Sequence, residues 1–224
     1  MLTRGVVFES RLYAGAATPP SSYEDKSRYH NNGTFTDVTW TQLKSGLWVL
    51  LESATTSVVT ISDADSLSAN ELTALVWANV TIPAGGNDTF YIGRYLIAGD
   101  QREWSIIADN ADLLSVQFGK PADGTYHGSI SNDGAAVSGV WQMIGLTYSG
   151  GVPKLFVNGI QISFTGSYPA SLFKGTAPVT VGNYPSGTMG VSGNKFFVSL
   201  VANVALSTTE IWRVFNAERS LFGV

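Results

Sequence analysis

The stretch Gly139 to Phe164, GVWQMIGLTYSGGVPKLFVNGIQISF, decides the fold. It holds three strand-like runs separated by two tight turns. In the first run Ile144, Leu146 and Tyr148 share one face, while Trp141, Met143 and Thr147 share the other, because successive side chains of a strand point to opposite sides. Both faces are largely apolar, the pattern of an inner strand packed on two sides. Gly145 leaves a gap on the second face. Leu155 and Val157 share a face of the next run, as do Ile160, Ile162 and Phe164 of the third. Asn158-Gly159 supplies two residues tolerant of positive φ, as a type I′ hairpin turn demands. Ser149-Gly150-Gly151 makes the preceding turn. Three strands joined by such short turns pair antiparallel.

The same alternation extends along the chain. Residues 6 to 13 form a first strand, followed by a polar loop from Ala14 to Tyr29. Asn31-Asn32-Gly33 marks a turn ahead of Thr34 to Trp40. Gly46 to Glu52 is apolar, with Trp48 as its core anchor, and Thr56 to Ile61 is rich in β-branched residues. Ser62 to Asn70 is a polar loop. Leu72 to Ile82 carries Val76, Val80 and Ile82 on one face and Trp77 on the other. A loop at Pro83 to Asp88 leads into a meander of Phe90 to Ala98, Trp104 to Ala108 and Leu113 to Phe118, with a turn at Asp109 to Asp112. Further strands follow at Tyr126 to Ile130, Val179 to Val181 and Lys195 to Val201. Helix is predicted at one place. Ser207-Thr208-Thr209-Glu210 is a capping box, and Ile211, Val214 and Phe215 then recur at helical spacing. No repeat or linker divides the chain, so residues 1–224 read as one all-β domain with a short C-terminal helix.

Composition narrows the partners. The chain has 224 residues, 44% of them hydrophobic, which supports a large core without cross-links. Charged residues are 13%, about half the usual share of a soluble domain, so Ser, Thr, Asn and Gly must populate the surface. Net charge is −4 and no basic run exceeds two residues, which removes a nucleic-acid footprint. Cysteine is absent, excluding disulfides and thiolate metal sites. No apolar run is long enough to span a membrane. The N-terminus lacks the apolar core of a signal peptide, which points to a protein made in a cytoplasm and retained there or carried on a virion.

Five motifs in order resemble a known family. Gly139-Val140-Trp141 with Leu146-Thr147-Tyr148 and Lys154 to Gly159 is similar to its "GxW…LTYdG…LYVNG" pattern. Asp25-Lys26-Ser27 through His30 to Thr34 resembles a "DxSGNGNxGT" loop. Val59 to Asp63 with Leu67 resembles "VTIPDSPSL", Leu75 to Asn79 resembles "ISAWVK", and Ala205-Leu206-Ser207 with Glu210-Ile211 resembles "RALSxxEI". These are motifs of the LamG-like jelly roll, within the concanavalin A-like lectin/glucanase superfamily that includes laminin G domains and pentraxins. The resemblance implies a jelly-roll β-sandwich of two antiparallel sheets. Two departures stand out. Phe196-Phe197-Val198 carries no carboxylate where the family often has "IDEV", and Arg28-Tyr29 stands where the loop usually has Gly and Asn.

Enzymatic chemistry has little to work with. Glucanases of this superfamily use an "ExDxxE" strand, since retaining hydrolysis needs two carboxyl groups about 5 Å apart. Here Glu9, Glu52, Glu71 and Glu103 each lack an alternating acidic partner. The two histidines, His30 and His127, accompany no nucleophile signature and make no zinc site by themselves. Calcium is the metal that this chain would take, as lectin-like relatives imply, and it needs six to eight oxygens. Asp63-Ala64-Asp65 offers two carboxylates at alternate positions, and Asn87-Asp88 and Asp109-Asn110 sit in loops. A sugar would meet exposed aromatic rings with polar neighbours; the candidates are Trp104, Tyr126, His127 and Tyr184. Taken together, the sequence predicts a non-enzymatic binding or structural protein. One expectation is a virion surface component, such as a phage capsid decoration or fibre protein, with a particle partner or a homo-oligomer. The other is a carbohydrate-binding, lectin-like module, with or without calcium.

Overall fold

Apolar alternation on both faces of the central strands builds the molecule in layers. The structure is a computed structural model that describes residues 5–10, 18–20, 22–83, 88–109, 113–132, 134–185, 187 and 190–224. In chain order the strands are β1 (Val6–Phe8), β2 (Gly33–Thr36), β3 (Val38–Gln42), β4 (Trp48–Glu52), β5 (Val58–Ile61), β6 (Leu72–Asn79), β7 (Thr89–Leu96) and β8 (Gln101–Asp109). There follow β9 (Leu113–Gly119), β10 (Tyr126–Asn132), β11 (Gln142–Ser149), β12 (Val152–Val157), β13 (Ile160–Ile162), β14 (Thr165–Gly166), β15 (Val179–Val181) and β16 (Lys195–Ala202), then helix α1 (Thr208–Phe222). Residues 11–13 of the expected first strand, 84–87 of the expected loop, and turn residues 110–112 and 133 lie outside the described residues.

Two eight-stranded antiparallel sheets form the jelly-roll sandwich. The first runs β13-β12-β11-β6-β16-β4-β3, with β1 also on β16, and the second runs β14-β10-β9-β8-β7-β15-β5-β2. The opening stretch is β11, β12 and β13, and its turn at Asn158 and Gly159 has φ of 50° and 77°, the left-handed pair that a type I′ turn requires. β11 lies between β12 and β6, with Leu146 opposite both Leu155 and Ala74. The gap left by Gly145 is filled by Leu75, whose Cδ2 would lie 2.7 Å from a Cβ at 145.

Each face of β11 meets its own core. Ile144, Leu146 and Tyr148 join Val76, Ile106, Val116, Phe118 and Val198 between the sheets. Met143 joins Leu75, Trp77, Phe156, Ile211, Phe215 and Phe222 under α1. The helix therefore covers the outer face of the first sheet. It is anchored at its start by the predicted capping box, in which Glu210 N–H donates to Ser207 Oγ and Ser207 N–H donates to Glu210 Oε2.

Two expectations need correction. The run Thr34 to Trp40 is two strands, because Asp37 turns the chain with φ 49° and hands it from the second sheet to the first. Trp48 is half-buried, beside edge strand β3 opposite Gln42, while the flanking Leu47 and Val49 are the residues buried under the helix.

Candidate functional site

With α1 on the first sheet, the broad face left open is the outer face of the second. Its side chains follow from the strand registers. Thr34 pairs Thr60, Thr60 pairs Thr180, Thr180 pairs Gly93, Gly93 pairs Ser105, Ser105 pairs Gln117, and Gln117 pairs Ser129. Cross-strand partners point to the same side, so a row of short polar side chains crosses the sheet at right angles to its strands. The row is exposed or half-buried at both ends and buried at Thr180, Gly93 and Ser105. Ser115 and Ser131, also paired, lie one step along.

Aromatic residues border this row. Tyr126 begins β10 and is 49% exposed. Tyr95 and Arg102 pair on β7 and β8, with the guanidinium 5.9 Å from the Tyr95 ring centroid and held by Asp100. Burial pushes the Tyr95 hydroxyl up to about 12, against the pull of Arg102. Tyr184, from the segment after β15, packs at 4.5 Å from the Phe90 ring and 5.6 Å from the Tyr95 ring. Its hydroxyl donates to Gln117 Oε1 at 3.1 Å, and Ser105 Oγ donates to the same oxygen at 3.3 Å. Burial pushes the Tyr184 hydroxyl up, so it stays a donor.

At the far rim stand Asp88 and Asp109. Burial, and then the hydrogen bond and charge of Asp109, push the Asp88 carboxyl up to about 6.

The residues singled out in the sequence do not assemble into one site. Trp104 is 1% exposed and faces the core between the sheets opposite Phe118, so it cannot present a ring to a ligand. Arg102, two residues before it, lies on the other face because the register shifts between Arg94 and Tyr95. Tyr184 reaches the open face but is 7% exposed. Tyr126 and His127 are both exposed at the start of β10. Asp63 stands beside Arg94, the register partner of Trp104. Asp63 Oδ1 accepts from Arg94 Nη2 at 2.5 Å, so one of the two expected calcium-binding carboxylates is paired with a guanidinium. Asp65 opens a short 3-10 turn. Among the described residues no three His, Cys, Asp or Glu side chains gather at a common point.

Asp25, in the loop that carried part of the family resemblance, is also fully engaged. Its Oδ1 accepts from the Glu9 and Ser27 amides at 3.0 and 2.8 Å, and its Oδ2 from Ser27 Oγ and the Asn31 amide at 2.7 Å each. The carboxylate organises the loop.

A family model of the concanavalin A-like lectin/glucanases superfamily matches residues 53–211. The chain belongs to that superfamily. No curated protein matches the chain in sequence. Solved structures that resemble this concanavalin A-like chain include the binding domain of Paraclostridial Mosquitocidal Protein 1, at a TM-score of 0.70 and 14% identity over 95% of this chain and 52% of that one. Another is the botulinum neurotoxin serotype D ligand binding domain in complex with N-acetylneuraminic acid, at a TM-score of 0.73 and 12% identity over 96% and 51%. The serotype G binding domain gives a TM-score of 0.71 and 12% identity over 96% and 51%. This chain spans about half the length of each. At such identities the likeness is one of fold alone.

Gln117, Ser105, Ser129 and Tyr95 are members of the candidate site that the loop-centred sequence reading passes over. For Ser105, Gln117 and Ser129 the signal was present as polar residues alternating with Trp104, Ile106, Val116, Phe118 and Ile130 along three consecutive strands.

Proposed function

We propose that the chain is a carbohydrate-binding module that takes a neutral glycan along the open face of its second sheet. The observation that carries this reading is the polar row from Ser105 through Gln117 to Ser129, bounded by the exposed ring of Tyr126. A sugar ring combines apolar C–H faces with hydroxyls that both donate and accept. Its site therefore joins an aromatic platform to neutral groups of both kinds. Tyr126 is the platform, and the serine hydroxyls and Gln117 amide are the neutral groups. The row carries no charge, and the Arg102 guanidinium beside it is already held by Asp100, which favours a neutral ligand over an anionic one.

Calorimetric titration with neutral and anionic oligosaccharides tests the reading. A neutral ligand is expected to bind, and Tyr126→Ala at unchanged melting temperature, and Gln117→Ala with a lowered one because the Tyr184 and Ser105 hydroxyls lose their acceptor, should each weaken it by about tenfold, or 1.4 kcal/mol. Silence across the panel, or binding indifferent to both substitutions, would sink it.

A second reading, a particle or homo-oligomer contact, is favoured by a different surface. Ile160 on edge strand β13 is 59% exposed and Trp212 on the adjacent α1 is 41% exposed. A short apolar edge of this kind suits pairing with another chain. Sedimentation of the chain beside Ile160→Ser decides it: an assembly that the substitution dissolves supports the contact, and a monomer at all concentrations removes it.

A further inference from the structure

We infer that Gln117 sets the sugar class of the open face: it offers a ligand hydrogen-bond donors only, selects the carbonyl oxygen of an acetamido group, and so takes a neutral N-acetylated sugar. The inference rests on the reading of this face as the glycan site and names the class of sugar it takes.

Gln117 is held from the β8 side. Its Oε1 accepts from the Tyr184 hydroxyl at 3.1 Å and from Ser105 Oγ at 3.3 Å. An amide oxygen has two lone pairs, so both are spent inside the protein. Tyr184 and Ser105 are themselves buried, and Gln117 Oε1 is the acceptor that each hydroxyl uses. This network fixes which way round the amide lies. Turned over, the amide would set its two N–H groups against two hydroxyls and leave a buried hydroxyl proton without an acceptor. The Nε2 end therefore faces outward. It donates to no described residue, and it is not buried.

A group of this kind discriminates by proton count. A sugar hydroxyl brings a proton that Gln117 cannot accept. A carbonyl oxygen brings none and has lone pairs for the N–H groups. An acetamido group carries such an oxygen. Its amide is trans, as in a peptide, so its N–H points away from its carbonyl and needs an acceptor on the opposite side. Ser129 stands on that side. It is the register partner of Gln117 on β10, one strand spacing of about 4.8 Å away, while Gln117 leans towards β8. Its Oγ has no partner among the described residues and is free to accept. Donors on one side and an acceptor on the other complement a secondary amide. Tyr126 pairs Gly119, two residues along β9 from Gln117, which leaves its exposed ring for an apolar face of the same sugar.

Calorimetric titration of the full chain with matched sugars tests the class. Triacetylchitotriose and cellotriose differ by an acetamido group in place of a hydroxyl on each ring, and the methyl glycosides of N-acetylgalactosamine and galactose differ in the same way. In at least one pair the acetamido member should bind about tenfold more tightly, the effect of one net hydrogen bond. Gln117→Glu keeps an acceptor for Tyr184 and Ser105 but loses the outward donors, so it should erase that ratio in a chain that stays folded. Tyr184→Phe returns one lone pair to Gln117 and should shrink the ratio. Pairs whose members bind within about twofold of each other, or a ratio that either substitution leaves unchanged, overturn the class and leave the glycan reading standing, since sugar still binds. Silence from both acetamido members overturns the class as well, and the glycan reading falls only if every other neutral oligosaccharide is silent too.

Discussion

Arg94 shows how single residues can mislead when read from the sequence. Its side chain is wholly buried, with Nη2 donating to Asp63 Oδ1 and Gly175 O at 2.5 Å each, and Nε 3.0 Å from Glu103 Oε2. Burial pushes the Glu103 carboxyl up and Arg94 pulls it back. Removing one partner of such a pair strands the other, so Arg94→Ala should cost about 3–5 kcal/mol. Replacing both, as in Arg94→Met with Glu103→Leu, should recover much of that loss. Urea unfolding of the two variants checks this, and a loss below about 1 kcal/mol in Arg94→Ala would show that the pair does not act as a buried ion pair. The alternation Asp63-Ala64-Asp65 was legible as two oxygens seeking a cation. That Asp63 pairs with Arg94, on a strand 31 residues away, was not, because local spacing does not encode long-range pairing. Trp104 was ambiguous for a related reason: one register shift in β8 sends Arg102 outward and Trp104 inward.

Among the elements, α1 determines which sheet face stays open. Trp77 stacks on Phe222 at 4.1 Å between ring centroids, and its Nε1 donates to Glu218 at 2.7 Å. Ser199 Oγ donates to the same carboxylate oxygen at 2.6 Å. The helix is therefore both packed and hydrogen-bonded onto β6 and β16. Its first turn depends on Ser207, and Ser207→Ala should lower stability by about 1 kcal/mol, whereas Ser207→Asp should retain most of it. Chemical denaturation would register both, and an Ala variant as stable as the parent would remove the capping box from the account. This element was well legible: the capping box, the positive-φ hairpin turn and the two-sided β11 each carry a local chemical signal. The corner at Asp37 was not, because a non-glycine residue at positive φ gives little warning in a run of alternating residues.

On the scale of the whole molecule, the buried acids decide the pH response. Burial raises the carboxyl of Glu52 to about 8, and it also raises that of Glu218. A carboxyl raised by folding stabilises the fold most fully below its unfolded value, and this contribution is lost as pH rises towards the folded value. Stability should therefore decline from about pH 5 to pH 8 by up to about 1 kcal/mol per pH unit for each such carboxyl. Glu52→Gln should shrink the slope, and stability that climbs over this range would contradict the assignment. The sandwich itself followed from alternation, turns and the capped helix. The site did not, because it is a row assembled across seven strands, each giving one residue. Amide chemical-shift mapping during titration with a neutral oligosaccharide tests that row most directly. The account predicts shifts concentrated at Ser105, Gln117, Ser129 and Tyr126, whereas shifts confined to α1 and the first sheet, or none with any sugar, would contradict it.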